Sequence, residues 1–487
     1  MKLAALTKGL EYRLLQGTED EDVKALIYFS DKAVPGSAFF AITGTEDDGC
    51  RYIRDAADRG ASVIVTSLAD EAQNVLIPDV TVIWTPDVRK ALAHMSCIFY
   101  RHPCRNLLTV GVTGTKGKTS TTFMLRAILE VAGIRTGLLG TVQNGWDDNF
   151  EEADRTTPQS CDIQQWCRKM ADAGCRVLVM EVSSQGLMQS RVDGILFDIA
   201  VFTNLSPDHI GPGEHENFDE YAFWKSRLFA RCRKAIMNMD DPHWAALLPK
   251  EGIKLKTFGR SSEADYVCED LSLVKGERGP GVKFRMNEHP VVLNLPGAFN
   301  GLNAAGAIAA ARELGVPWND IQTALQGLKI PGRVEPVDTG GRTSVLVDYA
   351  HNGISLRQLL TDLRKYEPRR LILVFGCGGN RDRNRRFEMG RAAAELADFT
   401  VVTSDNPRKE KPEDIIKDIT DAMDAWGAEK ESYIVICDRA HAIRTAVRMG
   451  TPDDIVLIAG KGHETYQLAG DTKIHFDDRQ IVTNMGD

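Results

Sequence analysis

Runs of β-branched and aliphatic residues, each closing on a glycine or a polar corner, recur along the chain and alternate with stretches whose apolar residues return every three or four positions. Short apolar runs bounded by turn residues read as buried strands and the longer period reads as helices, so the pattern predicts an α/β protein. In residues 1–103, "GSAFFAI" and "GASVIVTS" read as strands with "GCRYIRDAADRG" as a helix between them, a small mixed α/β domain. In residues 104–336, "NLLTVGVTG", "RVLVMEVSS" and "DIAVFTNLS" alternate with helical stretches, the pattern of a buried parallel sheet flanked by helices. The stretch "LKIPGRVEPVDTGGR" is rich in Pro and Gly and predicts a linker over 333–340, so a third domain is expected over 337–487.

That third domain reads as Rossmann-like. "SVLVDYAHN", "LILVFGCGGNRD", "FTVVTSDNPR" and "IVLIAGKGHE" each run from apolar residues into a polar or glycine corner. In an open parallel sheet such corners gather at the carboxyl edge, where ligands bind. Any one polar corner is ordinary for an α/β loop. Several carrying Asp, His, Arg and Glu point to a site. No internal repeat or low-complexity tract is present.

Composition narrows the class. A chain of 487 residues exceeds what one core supports, in keeping with several domains. Apolar and charged fractions of 43% and 26% are those of soluble globular proteins. No apolar run approaches the roughly 18 residues of a membrane span. The start "MKLAALTKGLEYRLL" has neither a long apolar segment nor a small-residue cleavage site, so a cytoplasmic protein is expected. Ten scattered cysteines without CxxC pairs read as reduced thiols rather than a disulfide or zinc framework. A formal charge of −9 speaks against nucleic acid as the main partner, and any bound phosphate must be met by local sites.

The sharpest chemical signal is "LLTVGVTGTKGKTSTTFMLRAIL", a strand, a glycine loop, and a helix with Leu125, Ile128, Leu129 and Ala132 on one face. Gly114 and Gly117 let backbone N–H groups approach phosphate oxygens, Lys118 adds charge at a helix N-terminus, and Thr119 can ligate Mg²⁺. The usual loop has glycine five positions before Gly117, where this chain has Val112, so the loop is a variant. Glu181 closes the run "VLVMEVSS" and is placed to reach a magnesium ion; otherwise it simply marks a strand end. His209 in "PDHIG" reads as a second ligand or as a structural histidine.

Taken in order, "GVTGTKGKTS", "RTTP", "EVSSQGLMQSR", "TNLSPDH", "GAFNGLNAAGA", "PGR", "VDYAHN", "FGCGGNRDRNRR", "SDNPR" and "GKGHE" resemble the Mur ligases, in particular the branch that adds the third residue of the peptidoglycan stem peptide. The resemblance spans nearly the whole chain. It implies a monomeric enzyme in which ATP phosphorylates the D-glutamate side-chain carboxylate of UDP-MurNAc-L-Ala-D-Glu. The incoming amine then attacks the acyl phosphate through a tetrahedral intermediate.

By that resemblance, Gly114, Thr115, Lys116, Gly117, Lys118, Thr119 and Ser120 hold ATP phosphates, Asn303 and Arg333 contact adenine and phosphate, and Asp348 meets the nucleotide, with domain closure completing the site. Thr119, Glu181 and His209 match metal positions. Lys225, in the aromatic-rich helix "FDEYAFWKSRLFARC", reads from spacing as a solvated lysine, yet matches the position the family carries as a magnesium-holding carbamate. Lys118, His209, Lys225 and Arg333 are the expected catalytic group. "YFSDKAVPGSAFFAITG" is similar to the uridine-holding segment, with Ser30 matching and "FSD" standing where the family reads "DSR". Thr156, Thr157, Ser184, Gln189 and Arg191 match positions around the sugar nucleotide and its dipeptide.

For the added amino acid, Arg386, Asp405, Asn406, Arg408, Gly460 and Glu464 match the family's contacts. "DNPR" accompanies meso-diaminopimelate, because an arginine fork pairs with a distal carboxylate that lysine lacks. "DHIGPGEHENFDEY" and GTKGKT, by contrast, look like the lysine-adding branch. Since these serve ATP and metal, "DNPR" decides for diaminopimelate, with L-lysine as the alternative. A folylpolyglutamate synthase-like ligase would share the P-loop but lack the "DNPR" and "GKGHE" pair. A non-enzymatic ATP-binding scaffold would not need Glu181, His209, Lys225 and Arg333 together.

Overall fold

The computed structural model describes the chain except residues 45–46, 69–76, 209, 212, 250–251, 277–278, 471 and 486–487. Internal contacts divide it into two units, Met1–Asp265 with Gly306–Gly315, and Tyr266–Ala305 with Val316–Asp487.

The first unit holds a small sheet ordered Arg13–Gln16, Thr81–Trp84, Ala61–Thr66, Ser37–Phe40, Ala25–Ile27, parallel except for the first strand. Its larger sheet places Leu108–Thr113 at the centre, in parallel register with Val177–Glu181 on one side and Phe197–Phe202 on the other. Cys232–Asn238 and Lys254–Gly259 continue the parallel run beyond Phe197–Phe202, and Thr136–Leu139 continues it beyond Val177–Glu181. Buried over most of their length, Leu108–Thr113, Val177–Glu181 and Phe197–Phe202 carry few polar residues, which is why they read as continuous apolar runs. The helix Lys118–Val131 buries Leu125, Ile128 and Leu129, while Ala132 lies half-buried just past its last turn. Parallel register brings Thr113, Glu181 and Phe202 to one edge.

In the second unit, Tyr266–Gly276, Gly279–Met286 and His289–Leu293 form an antiparallel meander. A second sheet is ordered Glu335–Val337, Ser344–Asp348, Ile455–Ala459, Leu371–Phe375, Phe399–Val402, Tyr433–Val435, parallel apart from its first strand. The Tyr366 hydroxyl donates to Gly281 O at 2.8 Å and accepts from Gly297 N–H at 2.9 Å, tying meander to sheet. The expected linker is only partly one. Glu335–Val337 adds an antiparallel edge strand, and Val334, buried at φ 47°, donates its N–H to Asp348 Oδ2 at 2.8 Å. Backbone bonding thus anchors a Pro/Gly-rich segment whose composition alone reads as loose. The four corners following Asp348, Phe375, Val402 and Ala459 do meet at the carboxyl edge.

Candidate active site

The phosphate loop is held from beneath by the corner after Phe197–Phe202. Thr115 N–H donates to Asn204 O at 2.8 Å, Lys116 N–H to Asn204 Oδ1 at 3.0 Å, and Thr203 Oγ1 to Lys116 O at 2.7 Å. Gly114, at φ 155°, passes so close that a Cβ there would sit 1.9 Å from Thr203 Oγ1. Lys118 Nζ curls over the loop to the carbonyls of Gly114, 2.8 Å, and Thr115, 3.1 Å. The Lys116 ammonium instead pairs with Asp208 at 3.0 Å. Thr119 and Ser120 are buried in the first helical turn.

Glu181 is buried at the edge of its strand and accepts from Thr119 Oγ1 at 3.0 Å, Thr141 N–H at 2.8 Å and Thr141 Oγ1 at 3.0 Å. A Cβ on Gly140 would lie 2.4 Å from Glu181 Oε1, so the close approach needs glycine. The Thr119 hydroxyl and Glu181 carboxylate are hard oxygen donors on adjacent elements, which suits magnesium completed by water and phosphate oxygens. Among the described residues, no group of three or more His, Cys, Asp and Glu forms a metal cluster by protein ligands alone. His209 lies outside the described residues.

Lys225, on the helix Phe218–Phe229, is fully buried rather than solvated. Its Nζ donates to Gly114 O at 2.8 Å and lies 4.5 Å from the centre of the Tyr221 ring. Burial, reinforced by the Lys118 charge, holds its ammonium well below the usual lysine range despite Asp208. An uncharged lysine amine is the form that can combine with carbon dioxide. Helical periodicity could not reveal this, because the Gly114 carbonyl that receives its Nζ is distant in sequence.

Thr157 is buried, donating to Glu181 O at 3.0 Å and lying 3.1 Å from Ser183 Oγ; Thr156 accepts from Thr141 Oγ1 at 3.1 Å. Ser184 lies 2.8 Å from Nε2 of the buried His215, a residue that sequence reading did not single out. Gln189 and Arg191 meet beside Thr157, with Arg191 Nη2 2.6 Å from Gln189 Oε1. Ser30 opens a short 3₁₀ turn, Ser30–Lys32, on the small sheet.

In the second unit a cavity of about 270 Å³ opens at the carboxyl edge, lined in part by Arg386, Asp405, Asn406, Arg408, Gly460 and Glu464. Asn406 Nδ2 donates to Glu464 Oε2 at 2.8 Å, and the buried Lys461 bridges Asn406 Oδ1 at 3.1 Å and Glu464 Oε2 at 2.9 Å. Arg408 Nη1 donates to Gly379 O at 2.8 Å. Asp405 is buried in the cavity wall, and desolvation raises its carboxyl above the usual range despite Lys461 and Arg439. Arg386 is committed inward, with Nη1 2.8 Å from Asp418 and Nη2 2.8 Å from Glu410. Arg381 and Arg385 line the same cavity, neither ion-paired to a carboxylate among the described residues, and sequence reading passed over both. Beneath the floor, the buried Arg439 pairs with Asp478 at 2.7 Å and donates to Ala459 O at 3.1 Å and Ser404 O at 3.4 Å. It ties together the corners that begin "SDNPR" and "GKGHE".

Asp348 accepts from Val334 and Ala350 N–H, and burial raises its carboxyl above the usual range, with Arg333 opposing. Arg333 lies 5.3 Å from the Tyr349 ring centre, its Nε enclosed with no hydrogen-bond partner among the described residues. Asn303 Nδ2 lies 3.3 Å from Asn300 Oδ1 on the helix Ala298–Glu313.

A glycine loop with a carboxylate at the neighbouring strand end, and a charged pocket on the edge of a second parallel sheet, are the arrangement of an α/β protein that handles a nucleoside triphosphate and a small charged ligand. Three family models match in turn: "Mur ligase family, catalytic domain" over residues 24–100, "Mur ligase middle domain" over 112–311, and "Mur ligase, glutamate ligase domain" over 332–462. A UDP-N-acetylmuramoyl-L-alanyl-D-glutamate–2,6-diaminopimelate ligase from Caldanaerobacter subterraneus subsp. tengcongensis is 40% identical, covering 99% of this chain and 98% of that protein. One of the same name from Clostridium perfringens is 38% identical, covering 99% of both. A solved structure of a ligase so named superposes with a TM-score of 0.67 at 28% identity, covering 100% of this chain and 98% of that one. MurF ligase from Thermotoga maritima in complex with ADP gives 0.58 at 18% identity over 95% of this chain and 97% of that one, a likeness of fold. The chain belongs to the Mur ligase family and has its three-domain α/β fold.

Proposed function

We propose that this chain is the ligase that joins meso-diaminopimelate to the D-glutamate of UDP-MurNAc-L-Ala-D-Glu, consuming ATP through an acyl phosphate during cytoplasmic peptidoglycan precursor synthesis, and that it acts as a monomer. The observation that carries the choice of amino acid is the second unit's charged cavity, where Arg408 and Glu464 are lining residues of one 270 Å³ space. An arginine fork suits the distal carboxylate of diaminopimelate, and a carboxylate suits its distal ammonium. The names of the full-length relatives support the same substrate.

In the first half-reaction the backbone N–H groups of Gly114 to Ser120 and the Lys118 ammonium hold the phosphates of ATP and neutralise the charge that develops during transfer. Thr119 and Glu181 would hold magnesium, with His209 and a carbamoylated Lys225 as further holders. When bound, the ion supplies charge neutralisation and alignment of phosphate oxygens. Thr156, Thr157, Ser184, Gln189 and Arg191 orient the dipeptide so that its side-chain carboxylate faces the γ-phosphate, and Ser30 serves the uridine end. Asn303, Arg333 and Asp348 are assigned to adenine and phosphate, and Arg386, a buried part of the cavity wall, to positioning through Glu410 and Asp418. In the second half-reaction the amine attacks the acyl phosphate and phosphate leaves.

The test is ADP release by the purified chain with UDP-MurNAc-L-Ala-D-Glu and, side by side, meso-diaminopimelate, L-lysine and L-ornithine. Turnover with diaminopimelate well above the other two is expected. Turnover with lysine and none with diaminopimelate would overturn the substrate, and ADP release indifferent to the nucleotide-dipeptide would overturn the reaction.

A further inference from the structure

Two thiols far apart in sequence meet inside the first unit. Cys104 Sγ lies 3.2 Å from Cys167 Sγ in a thiol–thiol hydrogen bond, and it also reaches Gln164 Oε1 at 3.7 Å. Cys104 sits in the 3₁₀ turn Pro103–Asn106, just ahead of the strand Leu108–Thr113 that feeds the glycine loop. Cys167 sits on the helix Ser160–Asp172, which follows Thr157. Turn and helix pack on each other, and Cys104 lies against the apolar cluster that encloses Cys167.

The two thiols differ in access. Cys104 is half-buried and open to a small solute, whereas Cys167 is fully buried. The bond to Cys104, together with burial, pushes the Cys167 thiol up, so it stays protonated until its partner has reacted. The neighbouring Cys97 stands apart: it is buried on the helix Val88–Phe99, its Sγ is turned to Asp193 O at 3.9 Å, and burial pushes its thiol up to about 12. An accessible sulfur in contact with a shielded one is the arrangement of an attacking and a resolving cysteine. Sulfurs already touching need only small side-chain rotations to bond.

We propose that Cys104 and Cys167 are a peroxide-oxidised pair that closes to a reversible disulfide, tethering the turn ahead of the glycine-loop strand to the helix after Thr157. The Cys104 thiolate attacks one oxygen of hydrogen peroxide and the O–O bond breaks. Hydroxide leaves as water with the proton that Cys104 released, and Cys104 becomes a sulfenic acid. The Cys167 sulfur then attacks the Cys104 sulfur, the S–O bond breaks, and the second hydroxide leaves as water with the Cys167 proton. Two thiols thus give up two electrons and two protons, and the peroxide takes up both. A small dithiol reverses the bond by exchange and becomes a disulfide itself. Because the bond joins positions 63 residues apart, it restricts the unfolded chain and so stabilises the fold while it lasts. In a reducing cytoplasm such a bond is transient, which suits a tether made under oxidant and released afterwards.

The test exposes the full reduced chain to a small excess of hydrogen peroxide, followed by acid quench, thiol counting and peptide mapping by mass spectrometry. Two of the ten thiols should be lost, Cys104 and Cys167 should appear in one cross-linked peptide pair, and dithiothreitol should restore both. The oxidised chain should melt about 3 °C or more above the reduced one. In Cys104→Ser and Cys104→Ala, loss of the Cys167 thiol should slow at least about tenfold, and peroxide should no longer raise the melting temperature. A disulfide joining either cysteine to Cys97, or Cys104 driven to sulfinic acid beside an intact Cys167 thiol, would overturn the pair. An oxidised chain that melts no higher than the reduced one would overturn the tether.

Discussion

Lys225 Nζ donates to the carbonyl oxygen of Gly114 at 2.8 Å from a fully buried position, so the only polar atom of that side chain is turned onto the phosphate loop. Lys225→Ala should lose at least about a hundredfold in turnover, as expected when charge placement for phosphoryl transfer is lost. A small added carboxylic acid should restore part of it. Full turnover in the unsupplemented variant would remove Lys225 from the chemistry.

The same burial has a stability consequence. The folded-state ammonium is held below its unfolded value, so between the two values the unfolded chain binds the extra proton and stability rises with pH. Below the folded value the penalty is complete. Lys225→Met removes it, so melting temperature measured relative to wild type should increase from pH 9 to pH 6. A difference flat across that range contradicts the assignment.

Glu181→Gln keeps the shape and the Thr141 N–H bond but removes the charge beside Thr119. Turnover should fall by about two to three orders of magnitude, the scale of losing one charge-stabilising group, with melting little changed. A Mg²⁺ titration should show a raised half-saturation concentration; an unaltered one would place the metal elsewhere.

Arg408 sits at φ 52° with its N–H bonded to Leu468 O at 3.0 Å and its carbonyl to Gly470 N–H at 2.7 Å. A non-glycine residue there is strained by about 1 kcal/mol, so Arg408→Gly should be no less stable than wild type. Its KM for diaminopimelate should nevertheless rise by about a hundredfold, while any weak lysine activity is spared. Parallel loss of stability and activity would mean the residue only shapes the turn.

His463 is pushed down to about 4 by burial and by the charges of Arg333 and Arg479. The unfolded chain therefore takes up a proton that the folded chain refuses, and stability falls as pH drops from about 6.5 toward 4, by up to about 3 kcal/mol. Denaturant midpoints of wild type and His463→Gln should converge toward pH 4 if His463→Gln is the less stable at pH 7. A constant gap would exclude this histidine as a source of acid sensitivity.

Much was legible along the chain because it is encoded locally. The apolar runs ending in corners foretold both parallel sheets, and "GTKGKTS" foretold a tight glycine loop between strand and helix, since strand burial and close backbone turns each impose a short-range pattern. What escaped depends on partners distant in sequence. Arg89 meets Gln189 and Arg439 meets Asp478 across gaps that no periodicity spans.

The sequence by itself determined the class of fold, the order of its segments, the phosphate loop and the "SDNPR" corner, because each follows from neighbours within one element or turn. Tertiary structure alone decided how those residues stand electrically. It buried Lys225 over the loop, turned Arg386 toward Glu410 and Asp418, and stitched the presumed linker to Asp348. Desolvation and charge pairing depend on what surrounds a side chain in space, and spacing along the chain carries no record of that.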